Sequence, residues 1–229
     1  MEIARIDDEA RRLWREHHGD ARSPTRRTTD ALAARLREAI RGVLLLDAER
    51  CDDGELAELV ATAGRLVASI DDQPRISGTP ATAAPPASLL FERSPVTGRG
   101  NAAAPPLTVD LDGERTIATV TYSETYEGPP GGVHGGVVAA TFDEVLGIAQ
   151  ISSGVAGFTG TLNVRFRRIT PIHRPIRYEA WVEGREGRKL TVRARSTVDG
   201  DGDGDDGVLA EASGLFVAQI TLGDDRAEE

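Results

Sequence analysis

The chain has 229 residues and a single cysteine, Cys51, so no disulfide can form within it. That usage fits a reducing compartment, and a cytoplasmic protein is expected. Aromatic residues are scarce at 4%. A core must therefore come from Val, Ile, Leu and Ala, which a 39% hydrophobic content supplies. Positive charge is in deficit, with a formal net charge of −10. Nucleic-acid binders need a basic footprint, so no nucleic-acid partner is expected. No run of about 18 apolar residues occurs, and no membrane span is expected. Residues 1–20 are charged throughout and lack the apolar stretch of a secretory signal.

What is present divides into three parts. Residues 1–70 read as a helical extension. Segment 2–18 has thin apolar anchors in Ile3, Ile6, Leu13 and Trp14. Segment 29–46 places Leu32, Leu36, Ile40, Val43 and Leu44 at spacings of three and four, an amphipathic stripe that Thr29 and Asp30 could cap. Segment 54–70 repeats the pattern with Leu56, Leu59, Val60, Leu66, Val67 and Ile70. These helices carry no catalytic constellation and are expected to pack on the main domain or on a partner subunit. Residues 71–106 are rich in Pro, Ala, Ser and Thr, including Pro85-Pro86 and Pro105-Pro106, and read as a long surface loop. Residues 107–221 form the third part. There Ala118, Val120 and Tyr122 alternate with Ile117, Thr119 and Thr121. Leu162, Val164 and Phe166 alternate with Asn163, Arg165 and Arg167. Strands at 176–183, 190–195 and 208–220 follow, giving one long helix among five or six antiparallel strands, an α+β fold.

Two runs resemble metal sites, and neither completes one. Acids alternate with glycine from Asp199 to Asp206, as at the start of a calcium loop, but the twelfth position, where a bidentate Glu belongs, is Ala210. A solvated hairpin turn is expected. His17 and His18 lie near Asp20, yet adjacent helical side chains point about 100° apart. No metal is expected.

The chemistry concentrates in residues 127–149. Segment 136–149 is apolar or small at almost every position, and a helix apolar all round is buried. Two acids, Asp143 and Glu144, nevertheless sit together in its middle. A carboxylate is costly to bury unless it is hydrogen-bonded, and burial without partners would raise its pKa toward that of a general base. The two point about 100° apart, so one of them is expected to line a site. Gly131, Gly132, Gly135 and Gly136 bare the backbone around the helix start. Unpaired N–H groups there suit a developing oxyanion. Spacing alone leaves open a simpler reading, a glycine-rich turn before a core helix with a satisfied acid.

The run from Glu127 through His134-Gly135-Gly136 to Asp143-Glu144 resembles the hotdog thioesterase superfamily. The closest branches are the phenylacetate-pathway and thioesterase-superfamily-member types. Thr159-Gly-Thr-Leu-Asn-Val-Arg-Phe166, Pro171 and Gly187-Arg-Lys189 extend the likeness over about residues 94–220. The resemblance implies a hotdog fold, a sheet wrapped around one long helix, and hydrolysis of an acyl thioester. It implies Asp143 as nucleophile or general base. It assigns the Gly135 N–H to the thioester carbonyl and Thr159 to the attacking water. Gly136 and His134 are implied beside them. The sequence departs from the family at Gly128, where some members carry an Asn or Gln that assists the carbonyl. Either His134 takes that role or the donor is missing, and His134 could instead orient the loop. The resemblance also implies a homodimer or a homotetramer with the active site between subunits.

Residues 165–195 hold ten bases against three acids in an otherwise acidic chain. Arginine and lysine match the phosphates of coenzyme A, and Arg168, Arg188 and Lys189 are the candidates near strand ends. Cross-strand ion pairs explain the same composition equally well. No cofactor is expected beyond the coenzyme A moiety of the substrate. Two other functions compete with hydrolysis. One is non-catalytic acyl-CoA binding. The other is a hotdog hydratase or dehydratase, which the nine-residue spacing from His134 to Asp143 and the presence of Thr159 disfavour.

Overall fold

The computed structural model describes residues 24–74, 93–154, 157–200 and 207–218. Helix α1 spans Pro24–Leu44, α2 spans Asp53–Asp71 and α3 spans Gly135–Ser152. The strands are β1 (Thr108–Asp112), β2 (Arg115–Thr121), β3 (Gly157–Phe166), β4 (Pro175–Glu186), β5 (Lys189–Val198) and β6 (Val208–Ala218). They form one antiparallel sheet in the order β1-β2-β4-β5-β6-β3. Segments 2–18 and 75–92 and most of the acid–glycine run lie outside the described residues.

Helix α3 needs cover on every side because its apolar residues are not confined to one stripe. The sheet curls round it, and α3 packs against β2, β3, β4, β5 and β6. Phe142, Val145 and Leu146 meet Ala118, Val120, Ile176, Ala180, Val192 and Phe216 in a single core. This is the hotdog architecture expected from the sequence.

Three buried hydroxyls interrupt that core. Tyr122 Oη lies 2.9 Å from Thr141 Oγ1 and 2.9 Å from Tyr178 Oη. Thr141 Oγ1 donates to the Val137 carbonyl at 3.0 Å. Thr141 has one proton and uses it there, so it must accept from Tyr122, which in turn accepts from Tyr178. Burial pushes the Tyr122 hydroxyl up to about 12 and that of Tyr178 well above its ordinary value. Both tyrosines therefore stay neutral donors.

The N-terminal helices differ from expectation at one end. The helix expected to start at Thr29 already includes Pro24, the first of the described residues. Thr28 and Thr29 are inside it, bonding back to the Pro24 and Thr25 carbonyls. Helix α2 begins near its expected position, capped by Asp52, which accepts from the Gly54 and Glu55 N–H groups at 2.8 and 3.1 Å.

Helix α1 buries only Ala33, and α2 buries no residue. Polar side chains hold α1 instead. Arg37 donates to the Ala104 and Asn101 carbonyls at 2.8 and 3.1 Å. Arg41 grips Glu124 at two points, 2.6 and 2.9 Å, and His173 Nε2 lies 3.2 Å from the same carboxylate.

The hydrogen bonds from Arg41 hold the Glu124 carboxyl down to about 2, from an ordinary 4.5. A carboxyl depressed in the native state stabilises fully above its unfolded pKa and loses that contribution as pH falls through the native one. Glu124→Gln is therefore expected to be less stable than wild type above about pH 4.5, with the gap closing toward pH 2. Denaturant midpoints measured down this range check it; a gap independent of pH contradicts it.

Candidate active site

The site is built around the turn into α3. Gly128 N–H donates to the Gly132 carbonyl at 2.9 Å, and Gly132 N–H to the Pro129 carbonyl at 2.8 Å. Glu127 accepts from Gly131 N–H at 2.6 Å, at a residue whose φ of +74° favours glycine. Val133 N–H donates to the Thr170 carbonyl at 2.8 Å and Ile172 N–H to the Gly131 carbonyl at 3.1 Å. These bonds clamp the glycine loop onto segment 169–172. A Cβ on Gly128 would lie 2.7 Å from His134 Cα, so the backbone closes this position to any side chain. The departure from the family at Gly128 is therefore a packing requirement of this loop.

His134 caps α3. Its Nδ1 accepts from Gly136 N–H at 3.0 Å, and its carbonyl accepts from Val137 and Val138 N–H. The Nδ1 lone pair is thus occupied, and the imidazole serves to orient the helix start. The same bond takes up the Gly136 N–H. Among the described residues the Gly135 N–H has no partner.

The two acids diverge as their 100° offset requires. Glu144 accepts from Thr97 Oγ1 at 2.6 Å, tying segment 94–97 to the helix. Asp143 Oδ1 accepts from Thr159 Oγ1 at 3.0 Å on an exposed flank of α3. Thr97 was not singled out from the sequence; a Ser-Pro-Val-Thr turn, whose Ser94 Oγ accepts from Val96 and Thr97 N–H, was the available signal.

Strict alternation along β3 would put Thr159 on the face opposite Leu162 and Val164. The structure inserts a β-bulge at Gly160. Thr159 pairs with Phe216 and Leu162 with Gly214, and residues opposite each other share a face. That face looks onto α3, since a Cβ on Gly214 would meet Leu146 at 3.3 Å. One extra residue therefore turns the Thr159 hydroxyl toward Asp143.

A cleft of about 370 Å³ opens at the Gly135 end, lined by Pro129, Val133, Val138, Phe166, Ile169 and Thr170 with Arg167 and Arg168 at its side. Arg168 is thus at the site. Arg188 and Lys189 are not beside it. They stand at the β4–β5 turn, where Arg188 donates to the Ala218 carbonyl and Lys189 pairs with Val217. Ala218 is in turn the β-sheet partner of Gly157, so this pair belongs to the Thr159 end of β3. Part of the basic patch is spent on cross-strand pairs, Arg167 with Glu211, Arg193 with Glu183 and Arg195 with Glu179. Among the described residues no group of three or more His, Cys, Asp or Glu could hold a metal ion.

The wrapped-helix fold is shared with known proteins. The profile of the thioesterase superfamily matches residues 130–205. Acyl-coenzyme A thioesterase THEM4 of Mus musculus is 34% identical over 79 residues, 34% of this chain and 34% of that protein. Acyl-coenzyme A thioesterase THEM5 of Homo sapiens is 33% identical over 91 residues, 40% of this chain and 35% of that protein. The chain matches about a third of the length of these curated relatives. A crystal structure of a thioesterase superfamily protein is 31% identical, with a TM-score of 0.68, over 82% of this chain and 94% of that one. The chain belongs to the thioesterase superfamily.

If the bulge sets the hydroxyl of Thr159, deleting Gly160 turns it outward. The deletion and Thr159→Val are then expected to cause the same loss of any activity that depends on Asp143, and their combination no further loss. Additive losses would contradict the role given to the bulge.

Proposed function

We propose that the protein hydrolyses an acyl-coenzyme A, or a related acyl thioester, to the free acid and the thiol. The observation that carries this reading is that Asp143, bonded to Thr159 of β3, lies on the same helix whose first N–H, at Gly135, lines a cleft and has no partner among the described residues. In the general-base route Asp143 takes a proton from a water held by Thr159. The water oxygen adds to the thioester carbon, and the carbonyl electrons move to an oxyanion stabilised by the Gly135 N–H. Collapse breaks the C–S bond, and the proton on Asp143 passes to the departing thiolate. Direct attack by the carboxylate, through an acyl-enzyme, uses the same groups. Neither route needs a cofactor beyond the coenzyme A of the substrate.

Asp143 lies eight residues beyond Gly135, roughly 12 Å along the axis at 1.5 Å per residue. One carbonyl cannot touch both groups of one chain. Strand β3 is one edge of the sheet, with Phe158 67% and Phe166 52% exposed. An exposed edge of this kind is a template for pairing. Antiparallel pairing of two copies centred on Asn163, with the bulge at Gly160 taken into account, sets Thr159 opposite the partner subunit's Phe166. That arrangement brings Asp143 to the partner subunit's Gly135, and Arg188 and Lys189 toward the partner subunit's Arg168. A homodimer, alone or paired into a tetramer, is the proposed working form. The lone Cys51 favours a reducing compartment, the cytoplasm being the proposed one.

A second reading, acyl-CoA binding without turnover, is favoured by the closed Gly128 position, which leaves the carbonyl one donor fewer. It predicts a raised melting temperature with acyl-CoA and no thiol release.

Thiol release from acetyl-, hexanoyl-, palmitoyl- and phenylacetyl-coenzyme A tests the proposal. Wild type is expected to turn over at least one, and Asp143→Ala to lose at least about 10³-fold while its melting temperature holds. No release from any of the four sinks the enzymatic reading. Sedimentation is expected to give a dimer or tetramer for wild type. Phe158→Glu with Phe166→Glu should yield monomers that have lost turnover; active monomers would refute the shared site.

A further inference from the structure

A developing oxyanion has room for more than one donor. The start of α3 offers only one, because His134 Nδ1 takes the Gly136 N–H and the His134 carbonyl takes the next two. Of the residues lining the cleft, only Arg167, Arg168 and Thr170 have polar side chains. Arg167 is bound to Glu211, and Arg168 is exposed beside the opening. Thr170 differs from both. It is 3% exposed, and its Oγ1 has no hydrogen-bond partner among the described residues. A buried hydroxyl without a partner destabilises the fold. Its place is fixed by the backbone, since the Thr170 carbonyl accepts from Val133 N–H, two residues before Gly135, and Pro171 bridges to Gly132. Thr170 lines the cleft, and a χ1 step of about 120° carries its hydroxyl into a neighbouring staggered position.

We propose that Thr170 Oγ1 is the second donor to the thioester carbonyl oxygen, paired with the Gly135 N–H. This rests on the hydrolysis reading above. The hydroxyl donates its proton to the carbonyl oxygen in a hydrogen bond that shortens as negative charge develops, and no proton is transferred. A donor kept from water acts in a low-dielectric setting, where it is worth more than in solvent. The unsatisfied hydroxyl is thus a cost of folding offset at the moment of reaction.

The test compares Thr170→Val with Thr116→Val. Thr116 is also buried with an unpartnered Oγ1, but it lies on β2 and does not line the cleft. Both variants are expected to melt at or above the wild-type temperature. Only Thr170→Val should lower kcat, by about 10²-fold, with KM within about threefold. Thr170→Ser should retain most of the rate. The carbonyl stretch of 13C-labelled hexanoyl-coenzyme A bound to Asp143→Asn gives a readout independent of turnover. Adding Thr170→Val should move it to higher wavenumber, and adding Thr116→Val should not. An unchanged kcat with an unchanged stretch overturns the role of Thr170 and leaves hydrolysis standing. Absence of turnover in wild type overturns hydrolysis, and the stretch then decides on its own whether Thr170 touches the carbonyl.

Discussion

A helix that is apolar on every side has no preferred rotation about its own axis, and the site depends on how that rotation is fixed. In α3 the hydroxyl chain from Tyr178 through Tyr122 to Thr141 and the Val137 carbonyl supplies the missing constraint. A rotation by one residue, about 100°, would strand two tyrosine hydroxyls in the core, each at a cost of about 1–3 kcal/mol. Thr141 is two residues before Asp143. Fixing one fixes the direction of the other. A few polar atoms in an apolar interior thereby set the azimuth of the carboxylate, while the surrounding Val, Leu and Phe supply stability without direction.

The same rotation divides the labour of the two acids. Asp143 emerges toward the open edge of the sheet, where Thr159 meets it. Glu144 emerges toward the segment that crosses from the N-terminal helices, where Thr97 meets it. Neither is left to be buried without a partner. A single helix thus presents a threonine-bonded carboxylate on one flank and a structural anchor on the other, and its amino end presents the Gly135 N–H.

Much of this was legible before any coordinates. The helix start was marked by glycines and His134. The buried helix was marked by its unbroken apolar run, and the strands by alternation at 176–182 and 190–194. What could not be read is local and steric. A bulge leaves no compositional trace, so Thr159 was placed by family likeness while simple alternation pointed it the wrong way. The closed space at Gly128 depends on where His134 sits, which no spacing encodes. Thr29 resembles a cap, yet it lies inside α1 with its hydroxyl bonded back to the Thr25 carbonyl. Arg168, Arg188 and Lys189 share a charge but stand at different ends of β3, because pairing in the sheet, not sequence distance, decides what is near what. The scarcity of aromatics concealed one more signal: two of only three tyrosines are fully buried, Tyr178 on β4 and Tyr122 just past the end of β2, and there a hydroxyl must find a partner.

The attachment of the N-terminal helices follows different physics from the core. Among the described residues α1 buries one alanine, and it is held largely by the guanidinium groups of Arg37 and Arg41. Such contacts are screened over about 8 Å at physiological ionic strength, whereas apolar burial is strengthened by many salts. Salt would therefore pull the two halves of the chain in opposite senses, loosening the grip of the extension while tightening the sheet around its helix. Ionic strength thus gives the cell, or the experimenter, a handle on one part of the molecule that leaves the central helix in place.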